Sequence, residues 1–600
     1  MRIPDPLFPA HTMSAAPAPF ALFDDNLADM GDLLFDTLRA TITCASADDI
    51  EQAFGKIETA RRQGLWVVLA ASYELGHAFE RRLPQTSGPL LTAWVFERVR
   101  HMGRHETDAF LADRLAGLDE HRGLAAVAGL HAALERQTYI ANVERIRSWI
   151  ADGDCYQVNY TFPLYGQCLG DPLALYSTLR ERQPVRYGAF VRHAEGAILS
   201  RSPELFVERR GQLLNCRPMK GTAPRDADPE AVLGSDKNRA ENVMIVDLIR
   251  NDLGRLAPPG GVRVDSLFDI EAYPSLWQMT STVSASPVSA DLPEILRALF
   301  PCGSITGAPK IRAMEIIAEL ESTPRGLYCG ALGWIAPDGD FRFSVPIRTL
   351  EAGPDGHFRC GIGSGIVADS EPAQEWEECL LKGRFLTGLQ TPFGLIETLR
   401  CEPQSPRPYP RLELHLARLA ASSTFLGFRF DVERVRRALV EHARALSGLH
   451  RVRLELRPDG RFELSGGPLA DILGQVEVAI GSTMLHSDDP LLRYKTTARA
   501  VYDAASREAE AEGLFDLIFL NERGEVAEGA RSSVFVDCGD GVLLTPALSC
   551  GVLDGVLRRE LLDAGRATEA VIDRRTLESA KALYVGNALR GLLPALLRKV

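Results

Sequence analysis

Leu389 to Arg400 reads LQTPFGLIETLR, and this stretch decides how the chain is divided. Thr391 precedes a proline, which biases it to extended backbone, and Gly394 follows two residues later, so the long helical pattern upstream must end here. Leu395, Ile396 and Leu399 then open a new strand pattern. The break predicts a first unit over 1–388, a linker at 389–393 and a second unit over 394–600. Six hundred residues suit such a division, because a domain takes roughly 150 residues and large α/β domains run longer.

Upstream of the break, SEPAQEWEECLLKGRFL predicts a helix opened by Ser370 and ending near Gly388. IANVERIRSWI, 140–150, places Ile140, Val143, Ile146, Trp149 and Ile150 at helical spacing, and YQVNYTFPLYG follows as a strand. A further helix is predicted from about Pro229 to Leu253, with Met244, Ile245, Leu248 and Ile249 on one face. LWVVLAA from Leu65 reads as a buried strand. Downstream, RVRLELRPDGRFELSG and FDLIFLNERGEVAEG each read as strand, turn, strand. Both units are thus α/β to α+β.

The composition, 46% hydrophobic and 24% charged, is that of an ordinary globular protein. No apolar run approaches the roughly 18 residues needed to cross a bilayer, and the Pro/Ala-rich start lacks the basic and apolar regions of a secretion signal. Eleven cysteines without CxxC spacing predict buried thiols in a reducing compartment, hence the cytoplasm. A net charge of −13 offers no general attraction to nucleic acid or anionic membranes.

Polar groups concentrate in a few stretches of the first unit. SPELF sets Glu204 at a strand end, KNRAENVMIVDLIRNDLG carries Glu241, and EWEE carries Glu375 and Glu378, three apart on one helix face. Carboxylates without Cys or His nearby suit Mg²⁺, although such a pair is more commonly a solvated acidic face. PCGSITGAPK and CGIGSGIVADS read as glycine-rich loops able to cradle an anion, and FSVPIRTL puts Arg348 at a strand position. NCRPMKGTAPR places Lys220 in a setting that reads as a tight turn.

GDCYQVNYT, SPELF, RPMKGTAPR, AENVMIVDLIRNDLGR, PCGSITGAPKIRAMEII, RGLYCGALG, FSVPIRTL and GSGIVADSEPAQEWEE, in this order, resemble the chorismate-binding enzyme family, with ASYELG at 71–76 a weaker match. The resemblance implies a fold like that of anthranilate synthase component I and chorismate as substrate. It implies an acid/base role for Glu204 and Mg²⁺ binding by Glu241, Glu375 and Glu378. Arg348 and Tyr328 match substrate-binding positions, Ser304, Thr306 and Gly307 a loop packed around chorismate, and Gly363 and Gly365 the backbone on its carboxylate side. Gln278 stands where many relatives carry histidine, and an amide is neither acid nor base. Members that make anthranilate have a small residue before Gly-Thr, whereas those resembling aminodeoxychorismate synthase component I have lysine, as at Lys220. The implied role is nucleophilic: the amine adds at C2 of chorismate as the C4 hydroxyl leaves, and ammonia then enters at C4. No cysteine here sits in a G-x-C-x-G turn, so a separate glutamine amidotransferase is the implied source of ammonia.

In the second unit, RYKTT offers Lys495, GEVAEGARSSVF offers Glu528, HLARL offers Arg418, and CGVLDGVLRREL opens a helix at Gly555 and Val556. A lysine for the aldehyde, a carboxylate for the pyridine nitrogen and a helix start for the phosphate are what pyridoxal phosphate requires. LIETLR, HLARLAASSTFLGF, YKTTAR, DLIFLNERGEVAEGARSSVF, LLTPALSCGVLDGVLRREL and VGNALRGLLP resemble the fold-type IV, D-amino acid aminotransferase-like family of pyridoxal phosphate enzymes. The nearest likeness is to its aminodeoxychorismate lyases, in which a threonine at the position of Thr398 contacts substrate. Ser533 departs from the usual asparagine, and the first strands of the fold are shortened.

The two resemblances imply amination of chorismate followed by release of 4-aminobenzoate, a folate precursor, and leave room for a homodimer through the second unit. Two rivals remain: an anthranilate synthase component I fused to an unrelated aminotransferase, which Lys220 opposes, and a second unit that is a silent dimerisation module, which Lys495 and Glu528 oppose.

Overall fold

The structure is a computed structural model that describes residues 18–27, 31–80, 82–84, 88–225, 228, 236–272, 276–387, 389, 391–539 and 541–598. The first half is one continuous antiparallel network of strands. Gln157–Leu169 pairs with His357–Ile366, and the order continues through Thr349–Ala352, Gly196–Ser202, Tyr187–His193, Phe20–Asp24, Asp32–Cys44, Leu91–Met102 and Trp66–Ala71. It goes on through Ala331–Ile335, Phe341–Ser344, Leu205–Arg210 and Leu213–Arg217 to Leu276–Ala285.

The aromatic residues explain how the helices dock on this network. Tyr139 and Val143 recur at helical spacing on Arg136–Ala151 and are buried. The Tyr139 ring stacks on Tyr160, and Phe162 stacks on Trp376 with centroids 5.1 Å apart. One aromatic cluster therefore fastens the helix Pro372–Gly383 beside the strand His357–Ile366, and Tyr139 Oη lies 2.9 Å from Ser364 Oγ. The helix follows that strand after five residues, and this packing holds it, with Glu375 and Glu378, against the strand.

Several local expectations are corrected. The helix predicted from Ser370 is capped instead at Glu371, with Pro372 in its first turn, and ends at Gly383 before a short 3-10 turn, Arg384–Leu386. Ser370 turns its hydroxyl to Glu375. Asp236–Leu253 is helical as expected, while 229–235 of that expectation lie outside the described residues. CGIGSGIVADS is no loop: Gly361, Gly363 and Gly365 lie within the strand His357–Ile366. A side chain at Gly361 would overlap the Tyr328 ring, its Cβ only 2.1 Å away, so the glycines serve close packing. Arg348 lies between strands, at a φ of 51°.

The second half joins a three-stranded antiparallel sheet, Leu395–Cys401, His450–Leu456 and Phe462–Pro468, to an eight-stranded mixed sheet. Both predicted hairpins form. The two halves share a hydrophobic core in which Leu124, Ala126, Ala128 and Leu169 pack with Leu395, Leu399, Leu416, Leu419 and Leu426. Burial of each such leucine is worth about 1.5–3 kcal/mol. Ten of the eleven cysteines are buried and all are free thiols, with Cys538 exposed. Among the described residues no helix is long and apolar enough to cross a membrane.

Candidate functional sites

Lys220 is part of the strand Met219–Pro224, and the turn expected there is a register irregularity against Leu276–Ala285. Gly221 takes φ +79° at that point, a conformation that favours glycine. Gln278, buried on the facing strand, donates through Nε2 to the Gly221 carbonyl at 2.6 Å. The amide thus fixes the irregularity that aims Lys220. Burial lowers the pKa of the Lys220 amine, Lys382 adds to the effect, and Glu241, Glu204 and Glu378 oppose it. Glu204, Glu241, Glu378 and Lys382 all therefore lie within electrostatic reach of Lys220.

Glu204 sits just past the strand Gly196–Ser202 and is almost fully buried. Burial pushes its carboxyl up to about 7, against the opposing influence of Ser304 and Lys220. Ser304 donates to its Oε1 at 2.6 Å from the short 3-10 turn Gly303–Ile305. Thr306 turns its hydroxyl to the loop's own carbonyls at Cys302 and Gly303, so it shapes the loop. Gly307, at φ +146°, has no room for a Cβ, which would lie 2.1 Å from the Gln157 carbonyl. A Cβ on Gly365 would meet Gln157 Nε2 at 2.6 Å and Lys220 Nζ at 3.5 Å, which puts this glycine beside the amine.

The acidic residues arrive on two helices. Glu241 belongs to Asp236–Leu253, pinned to the strand Leu276–Ala285 where Ser281 donates to Asn242 at 2.7 Å. Glu378 pairs with Lys382 at 2.8 Å, and Lys382 also donates to the Gly363 carbonyl at 2.9 Å. Glu375 accepts from Ser370 at 2.7 Å. Among the described residues, no three His, Cys, Asp or Glu side chains converge into a ready metal cage. Glu241 and Glu378 still offer hard oxygen donors within electrostatic reach of Lys220, a donor set that suits Mg²⁺ completed by water and substrate oxygens.

In the second half, Thr398, Arg418, Lys495, Glu528, Gly555 and Val556 line one cavity of about 790 Å³. Burial lowers Lys495 to about 7, aided by Arg499 and Arg418. Burial also raises Glu528 to about 7, while Tyr502 donates to its Oε1 at 2.9 Å. Gly555 caps the helix Val556–Asp563. Arg418, on the helix Leu412–Leu426, donates to both oxygens of Glu397 at 2.8 and 2.6 Å and to the Asp554 carbonyl beside that helix start. Burial would raise Glu397, but Arg418 and His415 hold it down to about 2. A near-neutral lysine, a buried carboxyl and a helix start on one cavity fit pyridoxal phosphate.

Gln157, Lys382, Glu397, His415, Tyr502 and Arg499 escape a reading of the sequence alone. Gln157 is buried, and its Oε1 finds no hydrogen-bond partner among the described residues. Two of them carry a local signal: Lys382 follows Glu378 by four residues, and His415 precedes Arg418 by three, each pair on one helix face. Glu397 adjoins Thr398 and Arg499 follows Lys495 by four residues, whereas Gln157 and Tyr502 are joined to their sites only through space.

Residues 25–388 match the chorismate binding enzyme family, and 394–597 match amino-transferase class IV. The aminodeoxychorismate synthase component 1 of Klebsiella aerogenes is 41% identical over 331 residues, which cover 51% of this chain and 73% of that protein. The anthranilate synthase component 1 of Streptomyces coelicolor is 42% identical over 265 residues, which cover 43% of this chain and 52% of that protein. The chain thus spans about half the length of the Streptomyces relative. The crystal structure of anthranilate synthase component I from Streptococcus pneumoniae has the same fold, with a TM-score of 0.50 at 22% identity over 64% of this chain and 95% of that one. The class IV match carries pyridoxal phosphate with it as the cofactor of the second half. The chain belongs to the chorismate binding enzyme family and continues into an amino-transferase class IV unit.

Proposed function

We propose that the chain performs two consecutive steps of 4-aminobenzoate formation: replacement of the C4 hydroxyl of chorismate by ammonia, then loss of pyruvate from the product. The observation that carries this reading is Lys220, an amine with a lowered pKa within electrostatic reach of the buried acid Glu204. Lys220 Nζ bonds to C2 as the C4–O bond breaks, and Glu204 gives the departing hydroxyl its proton, so water leaves. The proton lost by the nitrogen restores Glu204. Ammonia then bonds to C4, the C2–Nζ bond breaks, and the surplus ammonia proton passes to the lysine. Glu241, Glu375 and Glu378 would hold Mg²⁺, which supplies positive charge for the substrate carboxylate. Arg348, Tyr328, Ser304, Thr306, Gly307, Gly363 and Gly365 form the surrounding substrate contacts.

In the second half, pyridoxal phosphate when bound supplies an electron sink for the substrate amine carbon. Lys495 takes the proton from that carbon, Glu528 holds a proton at the pyridine nitrogen, and Gly555, Val556 and Arg418 receive the phosphate end. Thr398 contacts the substrate. The enolpyruvyl oxygen leaves with its electron pair and is protonated, so that pyruvate and an aromatic amine result.

The units are placed at 1–388 and 394–600 with 389–393 between them. A separate glutamine amidotransferase supplies ammonia, a homodimer forms through the second half, and the buried thiols suit the cytoplasm. The test is incubation with chorismate, ammonia and Mg²⁺ and identification of the product. Aminodeoxychorismate or 4-aminobenzoate is expected; anthranilate alone would overturn the reading.

A further inference from the structure

Lys495 belongs to the second half, yet the segment that carries it is held by the first. The loop 119–123 is built rigidly on the first half: Arg122 N donates to Asp119 Oδ1, Gly123 N to the Asp119 carbonyl, and Asp171 N to the Arg122 carbonyl at 2.7 Å. Gly170, at φ +92°, lies so close that a Cβ would stand 2.2 Å from the Leu124 carbonyl. From this loop His121 reaches the cavity wall around Lys495.

Two consecutive residues of the loop grip both ends of the segment 489–500. His121 Nδ1 lies 2.6 Å from Asp489 Oδ2, and Nε2 lies 2.8 Å from the Ala498 carbonyl. Both partners are acceptors, so both ring nitrogens must donate and the imidazole is charged. Burial opposes that charge, but Asp489, the Ala498 carbonyl and Glu120 together outweigh it and bring the pKa to about 9. Asp489 uses its other oxygen to accept from Leu491 N at 2.9 Å, at the start of the 3-10 turn before Lys495. Glu120 Oε2 accepts from Ala500 N at 2.7 Å, so it caps the helix Ala500–Ala511, whose own N-cap residue makes no side-chain cap bond. A second path runs through the shared core: a Cβ on Gly129 would lie 2.8 Å from Phe425, whose ring stacks on Tyr494, the neighbour of Lys495.

We propose that His121 and Glu120 are positioning residues for Lys495, a clamp from the chorismate-binding half without which the cofactor site of the class IV half is loose. This rests on the reading of Lys495 as the residue that holds pyridoxal phosphate. The two reactions are then joined by construction of the second site, not merely by a tether.

The test uses the full-length chain and pyridoxal phosphate as the probe, with His121→Ala, His121→Asn, Glu120→Ala and Lys495→Ala. His121→Ala is expected to raise the cofactor dissociation constant about 10-fold or more and to speed amide exchange in 489–500, while amination by the first half reports intact folding. Asparagine keeps a donor where Nδ1 stands, so His121→Asn should recover part of the loss. Glu120→Ala, at an exposed position, removes the acceptor for Ala500 N and should speed exchange at the start of 500–511 even if His121→Ala fails to fold. Parent affinity and parent exchange in His121→Asn and Glu120→Ala would overturn the clamp, and so would a His121→Ala protein that folds and binds as the parent does. Lys495→Ala separates the two ideas: if it keeps the visible absorbance of bound cofactor, the reading of Lys495 fails; if it loses the absorbance while the clamp variants behave as the parent, only the clamp fails.

Discussion

Ser304 donates its hydroxyl to Glu204 Oε1 at 2.6 Å, in a setting so buried that the carboxyl is pushed up to about 7. The bond favours the charged form and burial the neutral one, and burial is the larger influence. A carboxyl poised there holds a proton for a leaving hydroxyl near neutral pH.

The amination rate, expressed against free ammonia, should therefore fall as pH rises through about 7, because the acid form of Glu204 is lost above that value. Glu204→Gln should lose about 10²–10⁴-fold in rate and with it this alkaline limb. A limb that persists unchanged in the variant would assign the titration to another group.

Lys220→Ala should bring amination at C4 to the detection limit while circular dichroism stays that of the parent, since a nucleophile has no substitute on its strand. Aminodeoxychorismate formed at the parent rate would rule out the covalent role.

Glu378→Gln should raise the Mg²⁺ concentration needed for half-maximal amination by about 10-fold and leave 4-aminobenzoate release from supplied aminodeoxychorismate unaltered. It also breaks the pair with Lys382. An unchanged magnesium titration would remove Glu378 from the metal site.

Gly555→Ala keeps an ordinary backbone, φ −64°, but its methyl group would lie 2.8 Å from Ser533 Oγ. Weakening of pyridoxal phosphate binding by about 10-fold, about 1.4 kcal/mol, is expected from equilibrium titration. Unaltered affinity would show that the phosphate does not use this helix start.

A chain of residues 394–600 alone should aggregate or melt well below the fused protein, because Leu395, Leu399 and Leu416 would lose Leu124, Ala126 and Ala128. Several such contacts at about 1.5–3 kcal/mol each are large against a domain stability of about 5–15 kcal/mol. A soluble fragment with the parent's affinity for the cofactor would show that the shared core is dispensable.

The candidates for the chemistry of both halves were legible in the sequence. Lys220, Glu204, Lys495 and Glu528 stand out as candidates because they sit in short motifs whose neighbours, Gly221 or the SPELF and AEG stretches, set the local backbone. The same local signals announced the hairpins and the helix start at Gly555. They misread CGIGSGIVADS, because glycines in a strand and glycines in a loop look alike until the side chains opposite, Tyr328 and Gln157, are known. They also placed a boundary at 389–393 without telling that the units share a core. His121 in DEHRGL shows why: nothing in its own sequence surroundings differs from a solvated loop, and its partners Asp489 and Ala498 lie more than 360 residues away. Motifs record what the backbone does over a few residues, whereas the hold of one half on the other's lysine arises from contacts that exist only after the chain has closed on itself.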